Sequence, residues 1–276
     1  MSDHVVMFSG GLSSWLTARR VRDMHGTDLR LVFADTKMED PDLYRFIAEA
    51  SADVGVELEI IEDGRNPWEV FRDVRFLGNT RIDPCSRVLK RQLLRKWLEA
   101  EYPDPASVVI HIGFSWDEEE RLTRARPYWK PYTVEAPLCR PPLQPMGLEA
   151  LQKVLDEAGI AMPRLYQLGF KHNNCGGFCV KAGHANFRLL LKTMPDRYRW
   201  HEEQEEGIRQ HLDKDIAILR DRRGGKTRPL TLREFRERIE AQTIEINPND
   251  WGACSCMAEA QQPLPLRRTE REDYDV

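Results

Sequence analysis

Short, uninterrupted apolar runs alternate along the first half of the chain with stretches of helical spacing. Val5, Val6, Met7 and Phe8 make a run of strand formers that Gly10 and Gly11 break. Ser13 and Ser14 then offer a cap for a helix reaching about Met24. A second run, 29–34, ends at Asp35 and Thr36. Asp40 before Pro41 reads as a cap followed by a first-turn proline, and Leu43, Phe46, Ile47 and Ala50 keep helical spacing. Residues 58–61 give a third strand, 86–101 a helix through Val88, Leu89, Leu93, Leu94 and Trp97, and 108–112 a fourth strand ending at Gly113. A short acidic helix follows.

Strands that alternate with helices of this length imply an α/β fold, a parallel sheet flanked by helices. Continuous apolar runs suit strands buried on both faces. Ligands of such sheets sit at the carboxyl ends of the strands. Three of those ends are polar here: Ser9-Gly10-Gly11, Asp35-Thr36 and Gly113-Phe114-Ser115. From about Thr133 the texture changes, with Pro137, Pro141, Pro142 and Pro145 marking an irregular crossing. A helix at 148–158, a loop with Cys175 and Cys179, and helices at 185–193, 196 to about 221, and 230–241 complete the reading; Thr231 with Glu234 marks the last start. The expected division is 1–182 as the nucleotide-binding domain with its cysteine loop, 183–257 as a mainly helical C-terminal extension ending in Cys-x-Cys, and 258–276 as a loose polar tail.

Composition narrows the classes. The 276 residues allow one large domain, or one with a smaller appendage. A net charge of -4 and a pI of about 6.0 argue against a generally basic nucleic-acid protein. Arginines gather between Arg188 and Arg238, but acids interleave them, as in His201-Glu202-Glu203-Gln204-Glu205-Glu206. The stretch reads as a solvated helical surface before it reads as an RNA or DNA track. No apolar run approaches the ~20 residues of a membrane span, and the start lacks a basic leader, so a cytoplasmic protein is expected. Thiols stay reduced there. The six cysteines (Cys85, Cys139, Cys175, Cys179, Cys254, Cys256) therefore suggest a metal, a cluster or redox chemistry rather than disulfides. Cys139 alone suits an inert buried thiol.

A Ser-Gly-Gly turn between a strand and a helix lets the backbone approach phosphate oxygens, and the helix N-terminus favours negative charge. Alone, Ser9 to Ser14 is a weak string. Its company is more specific: Asp35-Thr36 with Glu39 shortly after, Cys85 leading a helix with Lys90, Gly113-Phe114-Ser115 with Glu118 and Arg121, then Pro137-Leu138, Leu165-Tyr166, Gly169 and the pair Cys175/Cys179. In this order the chain resembles the PP-loop family of ATP pyrophosphatases, in its phosphoadenosine-phosphosulfate reductase-like branch, over roughly residues 4–182. The resemblance implies a Rossmann-like PP-loop fold. It implies that Ser9, Gly10, Gly11, Leu12, Ser13 and Ser14 cradle phosphates, that Phe33, Asp35 and Thr36 pass the adenine and ribose, and that Gly113, Ser115, Lys90 and Arg121 face phosphates or a second substrate. Glu118 stands at helical spacing from Arg121 and could instead simply pair with it. Ser13 replaces the family's aspartate, and a hydroxyl is a poorer Mg2+ ligand than a carboxylate.

In reductase and thiolation relatives, matching cysteines hold a 4Fe–4S cluster. The resemblance thus implies Cys85, Cys175 and Cys179 as ligands with Cys256 or Cys254 as the fourth, and leaves the other, Cys254 if Cys256 ligates, for a nucleophile of the reductase kind; both C-terminal cysteines could also be unreactive. Zinc accepts the same ligands. His172 stays open between ligand, substrate contact and loop hydrogen-bonder. Two reactions compete: ATP-dependent thiolation of an acceptor such as tRNA or DNA, and reduction of phosphoadenosine phosphosulfate by a thiol. A non-catalytic module that senses an adenine nucleotide is the third reading, and Ser13 is its support. The sulfur or electron donor is not given by the sequence, and a homodimer stays open.

Overall fold

The computed structural model describes residues 2–79, 82–116, 118–140, 147–222 and 225–252. Strands β1 (Asp3–Met7), β2 (Leu29–Asp35), β3 (Leu58–Glu62), β4 (Val108–Ile112) and β5 (Thr133–Glu135) form one sheet in the order β3-β2-β1-β4-β5. Every pairing is parallel. The direction of winding reverses between β1 and β4, which opens a crevice at their carboxyl ends. Successive residues of β1, and Phe8 just after it, feed different layers, Val5 and Met7 into one apolar cluster and Val6 and Phe8 into the other. Burial on both faces fails at β3, an edge strand whose Ile60 is half exposed.

Helices α1 (Leu12–His25), α2 (Pro41–Val54) and α3 (Pro67–Asp73) follow the first three strands. Asp40 caps α2 by accepting the Asp42 N–H at 3.0 Å, with Pro41 behind it, as the sequence pattern predicts. The cap of α1 differs from expectation. It is Gly11, with no side-chain hydrogen bond, while Ser13 and Ser14 lie inside the first turn and Ser14 Oγ donates back to the Gly11 carbonyl at 2.7 Å. A side chain therefore does not consume the first N–H groups of the helix.

The helix expected at 86–101 is α4 (Pro84–Ser86), a π-helical stretch Arg87–Gln92, and α5 (Leu93–Glu101) in unbroken succession. Wide turns of this kind tend to mark functional sites, and this one carries Lys90. Then come α6 (Glu119–Trp129), α7 (Leu148–Ala158), α8 (Arg164–Gln167), α9 (His184–Thr193) and α10 (Pro195–Leu212). Helix α10 stops at Leu212, well short of the expected 221, because Asp213 takes a left-handed conformation (φ 48°) that ends the helical ladder. The remainder forms an antiparallel pair, β6 (Leu219–Asp221) and β7 (Arg228–Leu230), before α11 (Leu232–Glu240). The C-terminal helices share one apolar core with α3 and the cysteine loop: Phe187, Tyr198, Ile208 and Phe235 pack with Trp68, Phe71 and Phe178. Among the described residues no helix is long and apolar enough to cross a membrane.

Candidate nucleotide and thiol site

A cavity of about 550 Å³ opens at the carboxyl ends of β1, β2 and β4. Ser9, Gly11, Leu12, Ser13 and Ser14 form its floor, Val32, Phe33, Ala34 and Leu94 give an apolar wall, and Gly113, Phe114 and Ser115 close the side beneath β4. Gly10 has φ 75°, the left-handed region that glycine enters without strain. Its carbonyl accepts Nδ2 of the buried Asn173 at 2.9 Å, which ties the turn to the segment leading into the cysteine loop. Gly113 is required by approach rather than by φ: a methyl group there would lie 2.7 Å from Ser14 Cα. The end of β4 thus rests directly on the first turn of α1.

Ser115, Glu118 and Arg121 form one corner of the cavity. Glu118 Oε2 accepts the Ser115 N–H at 2.9 Å and the Ser115 hydroxyl at 3.0 Å, while Oε1 pairs with Arg121 Nη1. The Arg121 guanidinium also lies 4.7 Å above the Phe114 ring. His172 lines the same cavity, and desolvation followed by the charge of Arg121 pulls its imidazole below the ordinary value.

Behind this cavity lies a smaller one of about 20 Å³, lined by Cys85, Cys175 and Cys179 together with Thr36, Met38, Phe178 and Lys90. Lys90 lines both. Its Nζ stands 3.6 Å from Glu39 Oε1, and the Glu39 side chain is buried. Glu39 also accepts the Thr36 hydroxyl at 2.9 Å and, through Oε2, the N–H of Cys175. One carboxylate therefore joins the end of β2, the π-helical stretch and the cysteine loop. Phe178 anchors that loop from below, stacked at 3.9 Å on His201, whose Nδ1 accepts the Trp68 indole N–H at 3.0 Å. The Lys181 N–H approaches Cys179 Sγ at 3.4 Å. A third cavity, lined by His172, Cys175, Cys179, Trp251 and Gly252, brings the last described residues to the same loop. An antiparallel bridge between Ala182 and Gly252 holds them there.

The sequence profile of the phosphoadenosine phosphosulfate reductase domain matches residues 3–177, the sheet, the turn and the first loop cysteine together. The chain belongs to that family. An uncharacterised protein of Methanocaldococcus jannaschii is 25% identical over 211 residues, 76% of this chain. The chain spans only 42% of that protein's length. Among solved structures, a phosphoadenylyl-sulfate reductase of Candida auris in complex with phosphate is 14% identical, covering 62% of this chain and 80% of the other with a TM-score of 0.42. The U34-tRNA thiolase of Methanococcus maripaludis with its 4Fe–4S cluster is 13% identical, covering 77% and 71% with a TM-score of 0.42. An NH3-dependent NAD synthetase of Campylobacter jejuni is 12% identical, covering 77% and 84% with a TM-score of 0.38.

Within this phosphoadenosine phosphosulfate reductase domain, the structure brings Ser9, Gly11, Leu12, Ser13, Ser14, Phe33, Gly113, Ser115, Lys90 and Arg121 to one cavity. It places Asp35 and Thr36 elsewhere. Asp35 Oδ1 accepts the Lys37 N–H at 2.8 Å and the Tyr44 hydroxyl at 2.9 Å, and Thr36 faces the cysteines. Cys139 is half-buried and its thiol points to the Ser115 carbonyl at 3.1 Å. Cys254 and Cys256 lie outside the described residues. Among the described residues no three His, Cys, Asp or Glu side chains form a group that could hold a metal ion. Glu39 and Asn173 hold this arrangement together through hydrogen bonds to which the sequence assigned no role. An acidic residue soon after Asp-Thr was the one signal for Glu39, and nothing local marked Asn173.

Proposed function

We propose that the protein is an adenine-nucleotide-binding enzyme of sulfur chemistry, with reduction of a phosphoadenosine-phosphosulfate-type nucleotide as its reaction. The observation that carries the reading is the shared wall. Lys90 faces the phosphate turn on one side and three thiols on the other. The apolar side of the large cavity suits adenine, and the uncapped first turn of α1 suits a phosphate.

Glu118 is the one carboxylate among the described residues lining that cavity, and Ser115 and Arg121 already engage it. A hard cation finds poor ligands there. This favours holding a substrate phosphate over Mg2+-assisted cleavage of ATP. The arginine-rich C-terminal stretch adds little support for a tRNA or DNA acceptor, because acids of the same region pair with much of it. Glu202 holds Arg233 and Arg236, and Asp221 holds Arg228 and Arg238.

Cys85, Cys175 and Cys179 fit a 4Fe–4S cluster in donor chemistry: soft thiols from two segments open on one cavity beside Lys90. Zinc accepts the same thiolates, and it is the resemblance to iron–sulfur relatives that favours the cluster. Cys256 would be the fourth ligand and Cys254 the nucleophile. They follow Gly252, which already lines a cavity with Cys175 and Cys179, by four and two residues. Two residues span at most about 7 Å. When bound, a cluster supplies a charged, redox-active group beside the phosphates. In the step proposed, the Cys254 thiolate attacks the sulfur of the activated sulfate, the S–O bond to the phosphate breaks, and the nucleotide phosphate leaves into the turn at Ser9–Ser14. An S-sulfocysteine remains. A second thiol, from an external dithiol donor, then attacks the cysteine sulfur, becomes a disulfide and releases sulfite.

Separate anaerobic incubations with labelled phosphoadenosine phosphosulfate and labelled ATP, each with a dithiol reductant as the electron donor, test this. The expected products are sulfite with adenosine bisphosphate from the first and unchanged ATP from the second. Pyrophosphate and AMP from ATP would instead establish adenylation. Both nucleotides bound and returned intact would establish a sensor.

A further inference from the structure

A segment of the C-terminal region engages the cysteine loop on both of its flanks. After the loop, an antiparallel bridge pairs Ala182 with Gly252, and the Gly183 N–H donates to the Trp251 carbonyl at 3.0 Å. Before it, Lys171 Nζ stands 5.0 Å over the Trp251 ring. Helix α9 has no side-chain cap at Gly183. Asp250 caps it from outside: its Oδ2 accepts the His184 N–H at 3.1 Å, and its carbonyl accepts the Ala185 N–H at 2.9 Å. Two glycines allow the close fit. A methyl group at Gly183 would lie 2.2 Å from Asp250 Oδ1, and one at Gly252, where φ is 72°, would lie 2.3 Å from the Lys181 carbonyl oxygen. The Ala182 N–H in turn reaches the Cys179 carbonyl at 2.9 Å, which ties the joint to a loop thiol. The apolar core takes Ile244 and Ile246 from this segment but neither Asp250 nor Gly252. What the joint fixes is position: it holds Trp251 and Gly252 in the wall of the cavity they share with Cys175 and Cys179.

We propose that Gly183, Asp250 and Gly252 are positioning residues for the thiol step. They lock residues 250–252 to the cysteine loop before any substrate binds, and so set the place from which Cys254, itself outside the described residues, attacks. The inference rests on the reading of Cys254 as nucleophile and adds what delivers it, a preformed joint rather than closure driven by the nucleotide. Two residues separate Gly252 from Cys254 and span at most about 7 Å. A shift of the joint therefore passes almost directly to the sulfur, and a misplacement of about 1 Å costs up to about a hundredfold in rate.

Three measurements on the full chain test the proposal with Gly252→Ala, Asp250→Ala and Asp250→Asn. They are hydrogen exchange at amides 183–185 without nucleotide, calorimetric affinity for phosphoadenosine phosphosulfate, and the single-turnover rate of S-sulfocysteine formation on the Cys254 peptide, read by mass spectrometry without dithiol. Gly252→Ala is expected to exchange those amides faster and to form the adduct about a hundredfold more slowly. Nucleotide affinity stays at the wild-type value, because none of the three residues lines the nucleotide cavity. Asp250→Ala should lose about tenfold in rate, and Asp250→Asn, which keeps an acceptor oxygen, should recover most of that loss. Unchanged exchange in Gly252→Ala, or a wild-type adduct rate where exchange has risen, overturns the proposal. So does a wild type whose amides 183–185 become protected only when nucleotide binds. A wild type that binds the nucleotide but forms no adduct instead removes the reading of Cys254 as nucleophile, and this inference with it.

Discussion

A side chain at Gly113 has nowhere to go. Its first carbon would meet Ser14 Cα at 2.7 Å and Ser14 N at 2.8 Å, backbone atoms that cannot turn aside as a flexible side chain would. Gly113→Ala is expected to push β4 and the first turn of α1 apart, at a cost of about 2 kcal/mol in stability. The same shift spreads the phosphate turn, so adenine-nucleotide affinity should fall with it. Urea denaturation and calorimetry on one preparation check both. A variant with wild-type stability and affinity would mean that the close approach is not what shapes the turn. At this scale the sequence spoke clearly wherever backbone chemistry is local. The glycine turn, the Asp40–Pro41 cap and the Glu118–Arg121 spacing were all visible. Asn173 was not, because its partner, the Gly10 carbonyl, is 163 positions away and no local pattern encodes that bond.

At the scale of elements, the parallel strands and their helices could be read because each carries its own periodicity. The β6–β7 pair could not. Its strands are three residues each, too short for a period to show, and the helical run before them reads straight on unless Asp213 is known to turn left-handed. What joins this pair to α10 is Glu205, which accepts the Ile218 N–H at 2.9 Å and the Leu232 N–H at 2.6 Å. Burial lifts its carboxyl to about 7, against 4.5 ordinarily. The folded chain therefore keeps a proton that the unfolded chain loses between those values. The stabilisation is complete below about pH 4.5 and is lost as pH rises to about 7, on the order of 3 kcal/mol. Glu205→Gln removes the titration, so its stability at pH 5 relative to pH 8 should drop toward a flat profile compared with wild type. An unchanged difference would show that Glu205 is ionised in the fold across that range.

At the scale of the molecule, the site exists because the sheet reverses its winding between β1 and β4, and because a buried carboxylate, Glu39, bridges what lies there to the cysteine loop. The sequence showed both halves of that site and their order. It could not show that one lysine faces both, since Lys90 occupies that place through a π-helical stretch no periodicity announces. The C-terminal helices also have more than a peripheral role. Through Trp68, Phe178 and His201 they support the cysteine loop from beneath. The central claim is that an iron–sulfur cluster stands against an adenine-nucleotide cavity, and the most direct measurement is iron and sulfide content with the visible spectrum of anaerobically purified protein, taken before and after phosphoadenosine phosphosulfate is added. A brown protein with about four iron and four sulfide per chain, whose charge-transfer bands move when the nucleotide binds, is the predicted result. A colourless protein without iron or sulfide that still binds the nucleotide would contradict it.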